Sequence, residues 1–466
     1  MKRINYLVLL VLACMSLLTS AQTAGAFKLP AYEKLILKNG LTIYLMEQHE
    51  VPTITLSAVM PAGAIYDKTQ NGLATMTASA LMTGTAKMTK SKLEEELDFI
   101  GASVNAYASK ESAGLSARFA AKDRDKVLGI VRDVLLTPTF DEKEFEKEKA
   151  LLIAGLEQAK ESPRNVIGNY FDQLTYGSHV YANPESGKVS TVQKLTAADA
   201  RRFYKSNYIP NGSAIAVVGD FNTKEMKTRL ESLFGPWMKG TLPPNLASAP
   251  VQPATSAKVL LVNKSDAKET TFIIGGPGVP RSNPDYVAME VVNTVFGGRF
   301  TSWLNDELRV SSGLTYGANS SFSRLKNAGS FRISTFTATK NTEAAMDKAI
   351  EVLNKLHTTG IDEKTLTSAK NYVKGGLPPR YETSGQLAGL LTSMFWYGFD
   401  ESFINNFQKN VDELTVAKAK EIVQKYYPKN NLQFIMVGNA EAIRKIAAKY
   451  GTVTEVNIKD ETVKTF

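Results

Sequence analysis

VQKLTAADARRFYKSNYIPNGSAIAVVGD, Val192 to Asp220, recurs in weakened form as VDELTVAKAKEIVQKYYPKNNLQFIMVGN, Val411 to Asn439. The two stretches align without a gap at a constant offset of 219, with identities at Val192/Val411, Leu195/Leu414, Thr196/Thr415, Tyr208/Tyr427, Asn211/Asn430 and Gly219/Gly438. In each copy an amphipathic period predicts a helix, Pro210 or Pro428 marks a turn, and an apolar run predicts a strand. A second echo pairs Asp141-Glu142-Lys143 with Asp362-Glu363-Lys364, each opening a helix whose positive N-terminal end suits acidic side chains. The chain is therefore built as two similar halves.

Each half opens with strands, Leu35 to Met46 and Ile54 to Met60 in the first, Lys258 to Val262 and Glu269 to Ile274 in the second. Gly114 to Phe119 and Gly329 to Thr335 supply later ones. Strands in runs mixed with long helices predict an α+β fold of two tandem homologous domains, each a mainly antiparallel sheet covered by helices on one face. Between the halves, Gly240 to Ser256 carries Pro243, Pro244, Pro250 and Pro253, the composition of an exposed, semi-rigid linker. The expected units are residues 27–240 and 257–466, joined by residues 241–256.

The first 26 residues, MKRINYLVLLVLACMSLLTSAQTAGA, combine Lys2 and Arg3, a short apolar run and small residues, which is the pattern of a secretory signal peptide cleaved after Ala21 or Ala26. Lipid attachment at Cys14 is the alternative, disfavoured by the apolar Met-Ser-Leu-Leu that follows it. Cleavage would leave a thiol-free chain suited to a bacterial periplasm. No later run is long and apolar enough for a transmembrane anchor. The formal charge of +9 falls to about +7 without Lys2 and Arg3. Its lysines are dispersed and not interleaved with aromatics, which argues against a nucleic-acid partner.

Gly72 to Thr85 reads GLATMTASALMTGT. It resembles the helix that carries the zinc signature of the pitrilysin/insulinase-type peptidases, which include the mitochondrial processing peptidase. In active members that helix reads approximately Gly-Leu-Ala-His-Phe-Leu-Glu-His-Met-Leu-Phe-x-Gly-Thr, an inverted zincin motif. On this frame the first histidine falls on Thr75, the general-base glutamate on Ala78 and the second histidine on Ser79. The family's third ligand, the later residue of a Glu-x6-Glu pattern, falls on Gly155, while Glu148 keeps the earlier glutamate. The residues themselves agree. A catalytic zinc site needs three ligands from His, Cys, Asp or Glu, and His49, His179 and His357 lie far apart in the sequence. No metal or other cofactor is expected on this chain.

The second half carries a positive signal. Gly297-Gly298-Arg299-Phe300-Thr301-Ser302 opens a helix with Leu304 and Leu308 on one face, Arg309 near its end, and Gly313-Leu314-Thr315-Tyr316-Gly317 beginning an extended segment. This resembles the family pattern Gly-Gly-x-x-Ser-x-Leu-x-x-x-Leu-Arg-x-x-x-Gly-Leu-x-Tyr, whose arginine and tyrosine contact substrate opposite the zinc. Arg309 offers a fixed fork of donors for a peptide carbonyl, and the Tyr316 hydroxyl can donate to the oxyanion formed on water attack. The bland alternative has Arg309 complementing a helix end and Tyr316 packing in a strand. Gly101 to Tyr107, with Asn105 and Ala106 at its centre, resembles the family strand that pairs with extended substrate through its backbone edge.

Other candidates have plainer explanations. Glu94, Glu95, Glu96 and the run Asp141 to Lys149 read as solvated helix faces. Gly275-Gly276-Pro277-Gly278 reads as a turn and not a phosphate loop. No histidine can be tied to a nucleophile.

The resemblance implies a non-catalytic subunit of a heteromeric zinc metallopeptidase. It would bind peptide and supply Arg309 and Tyr316 to the zinc site of a homologous partner. A peptide-binding or scaffold protein without catalysis is the first alternative, and an independent metallopeptidase with unusual ligands the second.

Overall fold

The computed structural model describes residues 27–460. The segment expected to be a signal peptide, with Cys14, lies outside the described residues. Two six-stranded sheets form the framework. The first comprises β1 (Glu33–Ile36), β2 (Thr42–Glu47), β3 (Thr53–Met60), β4 (Ser103–Ala108), β5 (Ala113–Ala120) and β6 (Ala214–Gly219), in the order β1-β2-β6-β3-β5-β4. The second comprises β7 (Lys258–Asn263), β8 (Glu269–Gly278), β9 (Ala318–Arg324), β10 (Gly329–Ala338), β11 (Gln433–Gly438) and β12 (Thr452–Asn457), in the order β12-β7-β11-β8-β10-β9. Both are mainly antiparallel, with the parallel pairs β2·β6, β7·β11 and β7·β12 as exceptions.

The repeat survives down to register. Gly219 lies opposite Glu47 in the first sheet, and Gly438 lies opposite Asn263 in the second. Thr196 and Thr415 each cap a helix, Ala197–Asn207 and Val416–Tyr426. Asp141 and Asp362 likewise accept the amide three residues on, opening Glu142–Ala159 and Glu363–Gly375. The α+β reading holds, and three details differ, two of them in the strands. Leu35 to Met46 is not one strand but a hairpin that turns at Gly40, where φ is +85°. Gly275 to Gly278 is not a turn but the end of β8, paired with Gly329 to Arg332. A Cβ on Gly275 would overlap the Phe331 carbonyl, so glycine here serves close strand approach. Pro277 lies beyond the end of the β8·β11 ladder at Gly275, where it costs no bond to β11.

Helices cover both faces of each sheet, not one. On its own side each sheet meets helices of its own half, burying Ile215 and Val217 in the first and Phe434 and Met436 in the second. The opposite faces are covered by exchange. Helix Pro163–Tyr176 of the first half lays Val166, Ile167, Tyr170, Phe171 and Leu174 on Val262, Ile273, Ile435 and Val437 of the second sheet. Helix Ser384–Tyr397 of the second half lays Leu387, Ala388, Leu391 and Met394 on Tyr44, Val59, Ala216 and Val218 of the first. Burial on both faces is why β6 and β11 are apolar at nearly every position. Each large side chain so buried contributes about 2 kcal/mol.

The tips of two hairpins lock the halves together. Glu111, between β4 and β5, accepts from the Lys326 amide at 3.0 Å and from the Tyr181 hydroxyl, while the Asn327 amide donates to the Tyr181 oxygen at 3.2 Å. Lys110 beside it donates to Asp172 at 2.6 Å and to the Tyr181 carbonyl at 2.7 Å. Residues 235–257 have no regular structure but are tied down, with Ala247 buried and Asn245 bonded to Asn327. Replacing Glu111 leaves buried donors from both halves without an acceptor. Glu111→Ala should lower unfolding stability by about 3 kcal/mol in urea titration. A loss below 1 kcal/mol would show that the tips do not hold the halves.

Candidate functional site

The helix aligned with the zinc signature is Leu73–Leu81, and apolar burial builds it: Leu73, Ala74, Met76, Ala80 and Leu81 face the core. Its start is fixed by Asp67, whose two carboxylate oxygens accept from the amides of Gly72 (2.7 Å) and Ala74 (2.8 Å). Thr75 and Ser79 are half-buried on one helical face, and Thr75 donates to the Glu185 carbonyl at 2.7 Å. Ala78 is buried. The helix packs against Glu142–Ala159, which carries Glu148 and Gly155.

These residues do not fit zinc. Glu148 is held by Lys90 at 2.6 Å. Gly155 faces open space beside a cavity of about 250 Å³, so a side chain would have room there, yet the position offers no donor atom. Thr75 and Ser79 supply neutral hydroxyls where the metal needs imidazole, thiolate or carboxylate. Among the described residues no group of three His, Cys, Asp or Glu is placed to hold a metal ion. The histidines serve elsewhere. His49 pairs with Glu47 and Asp220 at the surface, His179 bonds the carbonyl of Ala249, and His357 is buried in a helix.

Arg309 and Tyr316 belong to the other half. The helical segment that carries them is short and irregular: one turn at Trp303–Asn305, then a wide π-type turn at Asp306–Ser311. Leu304 and Leu308 anchor it in the core. Gly297 lets the preceding turn approach β9, because a Cβ there would overlap Ser320. Arg309 lies over the Phe300 ring at 4.6 Å and has no carboxylate partner among the described residues. Tyr316 is 81% exposed, and Phe300 is 68% exposed. The Tyr316 ring stacks on Phe336 of β10 with centroids 6.5 Å apart and planes at 18°.

Residues that sequence reading passed over hold this segment. Asn305, buried, donates to the Phe300 carbonyl at 2.6 Å and accepts from the Ala318 amide at 3.2 Å. Thr335 donates to the Gly317 carbonyl at 2.8 Å, and Thr337 to the Leu314 carbonyl at 2.6 Å. Hydroxyls of β10 thus replace a strand ladder on either side of Tyr316. An amide between Leu304 and Leu308, and threonines alternating with Phe336, were the available signals. Asn105 and Ala106 lie on β4, the terminal strand of the first sheet, paired on one side with β5. Asn105 is exposed and Ala106 half-buried. The structure therefore presents two separate sets: Thr75, Ala78, Ser79 and Gly155 with the β4 edge in one half, Arg309 and Tyr316 in the other.

Two family models match the chain, insulinase (peptidase family M16) over residues 42–187 and the peptidase M16 inactive domain over residues 194–373. YmxG of Bacillus subtilis, named an uncharacterized zinc protease, is 25% identical over 342 residues, 73% of this chain and 82% of the relative. The YmxG of Helicobacter pylori, named a non-peptidase homolog, is 24% identical over 383 residues, 81% of this chain and 87% of the relative. A crystal structure of a peptidase M16 inactive domain from Pseudomonas fluorescens superposes with a TM-score of 0.83 at 24% identity, covering 88% of this chain and 98% of that one. A protease structure from Helicobacter pylori gives 0.82 at 20% identity, covering 88% and 100%. At these identities the solved structures speak to fold alone.

The signature helix depends on Asp67, and burial pushes its carboxyl up to about 7 against the pull of its amide donors. The folded state therefore holds this proton more tightly than the unfolded chain does. The contribution of Asp67 to stability is fully present below pH 4 and declines as pH rises to about 7, by on the order of 4 kcal/mol. Asp67→Asn, which keeps one acceptor oxygen, should remove that decline from the urea-unfolding profile between pH 4 and 7. Parallel profiles for the two proteins would contradict the assignment.

Proposed function

Because this chain belongs to the insulinase family of peptidases, M16, we propose that it is the non-catalytic subunit of a heteromeric zinc peptidase in the bacterial periplasm. Its partner would be a homologous chain that carries the zinc ligands and general base. The observation that carries this reading is the contrast between the two site halves. No position aligned with a metal ligand or the base in the signature helix carries that chemistry, while half-buried Arg309 and exposed Tyr316 stand on a segment held by Asn305, Thr335 and Thr337.

In this role the Arg309 guanidinium binds a peptide carbonyl and the Tyr316 hydroxyl donates to the oxyanion as water adds to the scissile bond. The backbone edge at Asn105 and Ala106 pairs with extended peptide, using main-chain bonds that tolerate varied side chains. The activated water would come from the partner's zinc, for which the described residues of this chain offer no ligand set. The inactive-domain match and the name of the Helicobacter relative also suit a second reading, a peptide-binding or scaffold protein with no part in catalysis.

Tyr316→Phe separates the two. It keeps the ring that stacks on Phe336 and removes only the hydroxyl. In the complex with a zinc-bearing homologue, turnover of a peptide substrate should fall by about 10²–10³-fold with assembly unchanged. An unchanged rate in an intact complex would leave the scaffold reading.

A further inference from the structure

The face of the second sheet that holds Tyr316 continues as a polar wall. Along β10, Phe331 and Ile333 point into the core of their own half, while Arg332, Ser334 and Phe336 are half-buried and line a groove under the exchanged helix Pro163–Tyr176. With Thr271 of β8, Asn319 of β9 and Arg164 of that helix, they enclose about 390 Å³ beginning at Gly317, the residue after Tyr316.

The two cations of the groove differ. Arg164 is engaged: it stacks on the Phe336 ring at 3.4 Å and lies 3.3 Å from Glu269. Arg332 donates from Nε to the Ser321 hydroxyl at 3.2 Å and has no carboxylate partner among the described residues. A half-buried guanidinium whose terminal nitrogens are unmet by protein presents a planar fork matched to a carboxylate. The hydroxyls of Ser334 and Thr271 and the amide of Asn319 add neutral donors and bring no competing negative charge.

We propose that this groove is a carboxylate subsite, which seats an Asp or Glu side chain of an extended peptide whose backbone runs past Tyr316. Arg332 is its specificity-determining residue, and acidic peptides are the preferred substrate class. The inference rests on the reading that this chain binds peptide beside Tyr316.

The test uses the full chain and labelled peptides of one neutral sequence, carrying Glu or Gln at each position in turn, read by fluorescence anisotropy. At one position the Glu peptide should bind about tenfold tighter than its Gln counterpart. Arg332→Gln should bring that ratio close to one, and Arg332→Lys should restore part of it. A ratio near one at every position with the unaltered chain, or a ratio that survives Arg332→Gln, overturns the subsite while peptide binding itself stands. Failure of every peptide to bind overturns the underlying reading as well.

Discussion

Each sheet of this molecule has an apolar face that its own half cannot cover, and each is covered by a helix lent from the other half. That reciprocal burial fixes everything downstream. Pro163–Tyr176 and Ser384–Tyr397 together bury Val166, Ile167, Tyr170, Phe171 and Leu174, and Leu387, Leu391 and Met394, across the join, and the Glu111 tip contact adds direction to an attraction that has none by itself. Once the halves are so fixed, the terminal strands β4 and β9 occupy corresponding places in the two sheets. The segment bearing Arg309 and Tyr316 leads directly into β9, as the segment ending in Gly101 and Ala102 leads into β4.

The helix aligned with the zinc signature keeps its shape without any ligand residue. Its stability comes from Leu73, Met76, Ala80 and Leu81 and from the Asp67 cap, none of which is a ligand position. A frame held by packing can lose imidazole and carboxylate without unfolding. The opposite half depends on polar bonds to the segment that bears Arg309 and Tyr316. Asn305, Thr335 and Thr337 spend buried hydrogen-bonding capacity on the backbone around Tyr316, capacity that an ordinary loop would take from water.

Much of this was legible in the sequence because local rules applied. The offset of 219 between Gly219 and Gly438 predicted equivalent strands, and Asp141 and Asp362 predicted helix starts through their capping chemistry. That Thr75, Ser79 and Gly155 offer zinc no imidazole or carboxylate is plain from their residue types. What escaped was long-range. The amphipathic stripe of Pro163–Tyr176 says that it must be covered, not which sheet covers it. The Gly275 to Gly278 run looks like a turn until Phe331 and its neighbours pass close enough to make glycine necessary. Arg332, Thr335 and Thr337 gain meaning only when β10 is laid beside the loop that precedes β9.

On the proposed reading, this chain has the substrate half of a peptidase site and lacks the metal half. The most direct measurement is zinc content and peptide hydrolysis of the purified chain, alone with added zinc and then mixed with a homologous chain that carries the ligands. Alone, it should hold no stoichiometric zinc and turn over no peptide, with hydrolysis arising only in the mixture. Stoichiometric zinc together with chelator-sensitive hydrolysis by the chain alone would contradict it.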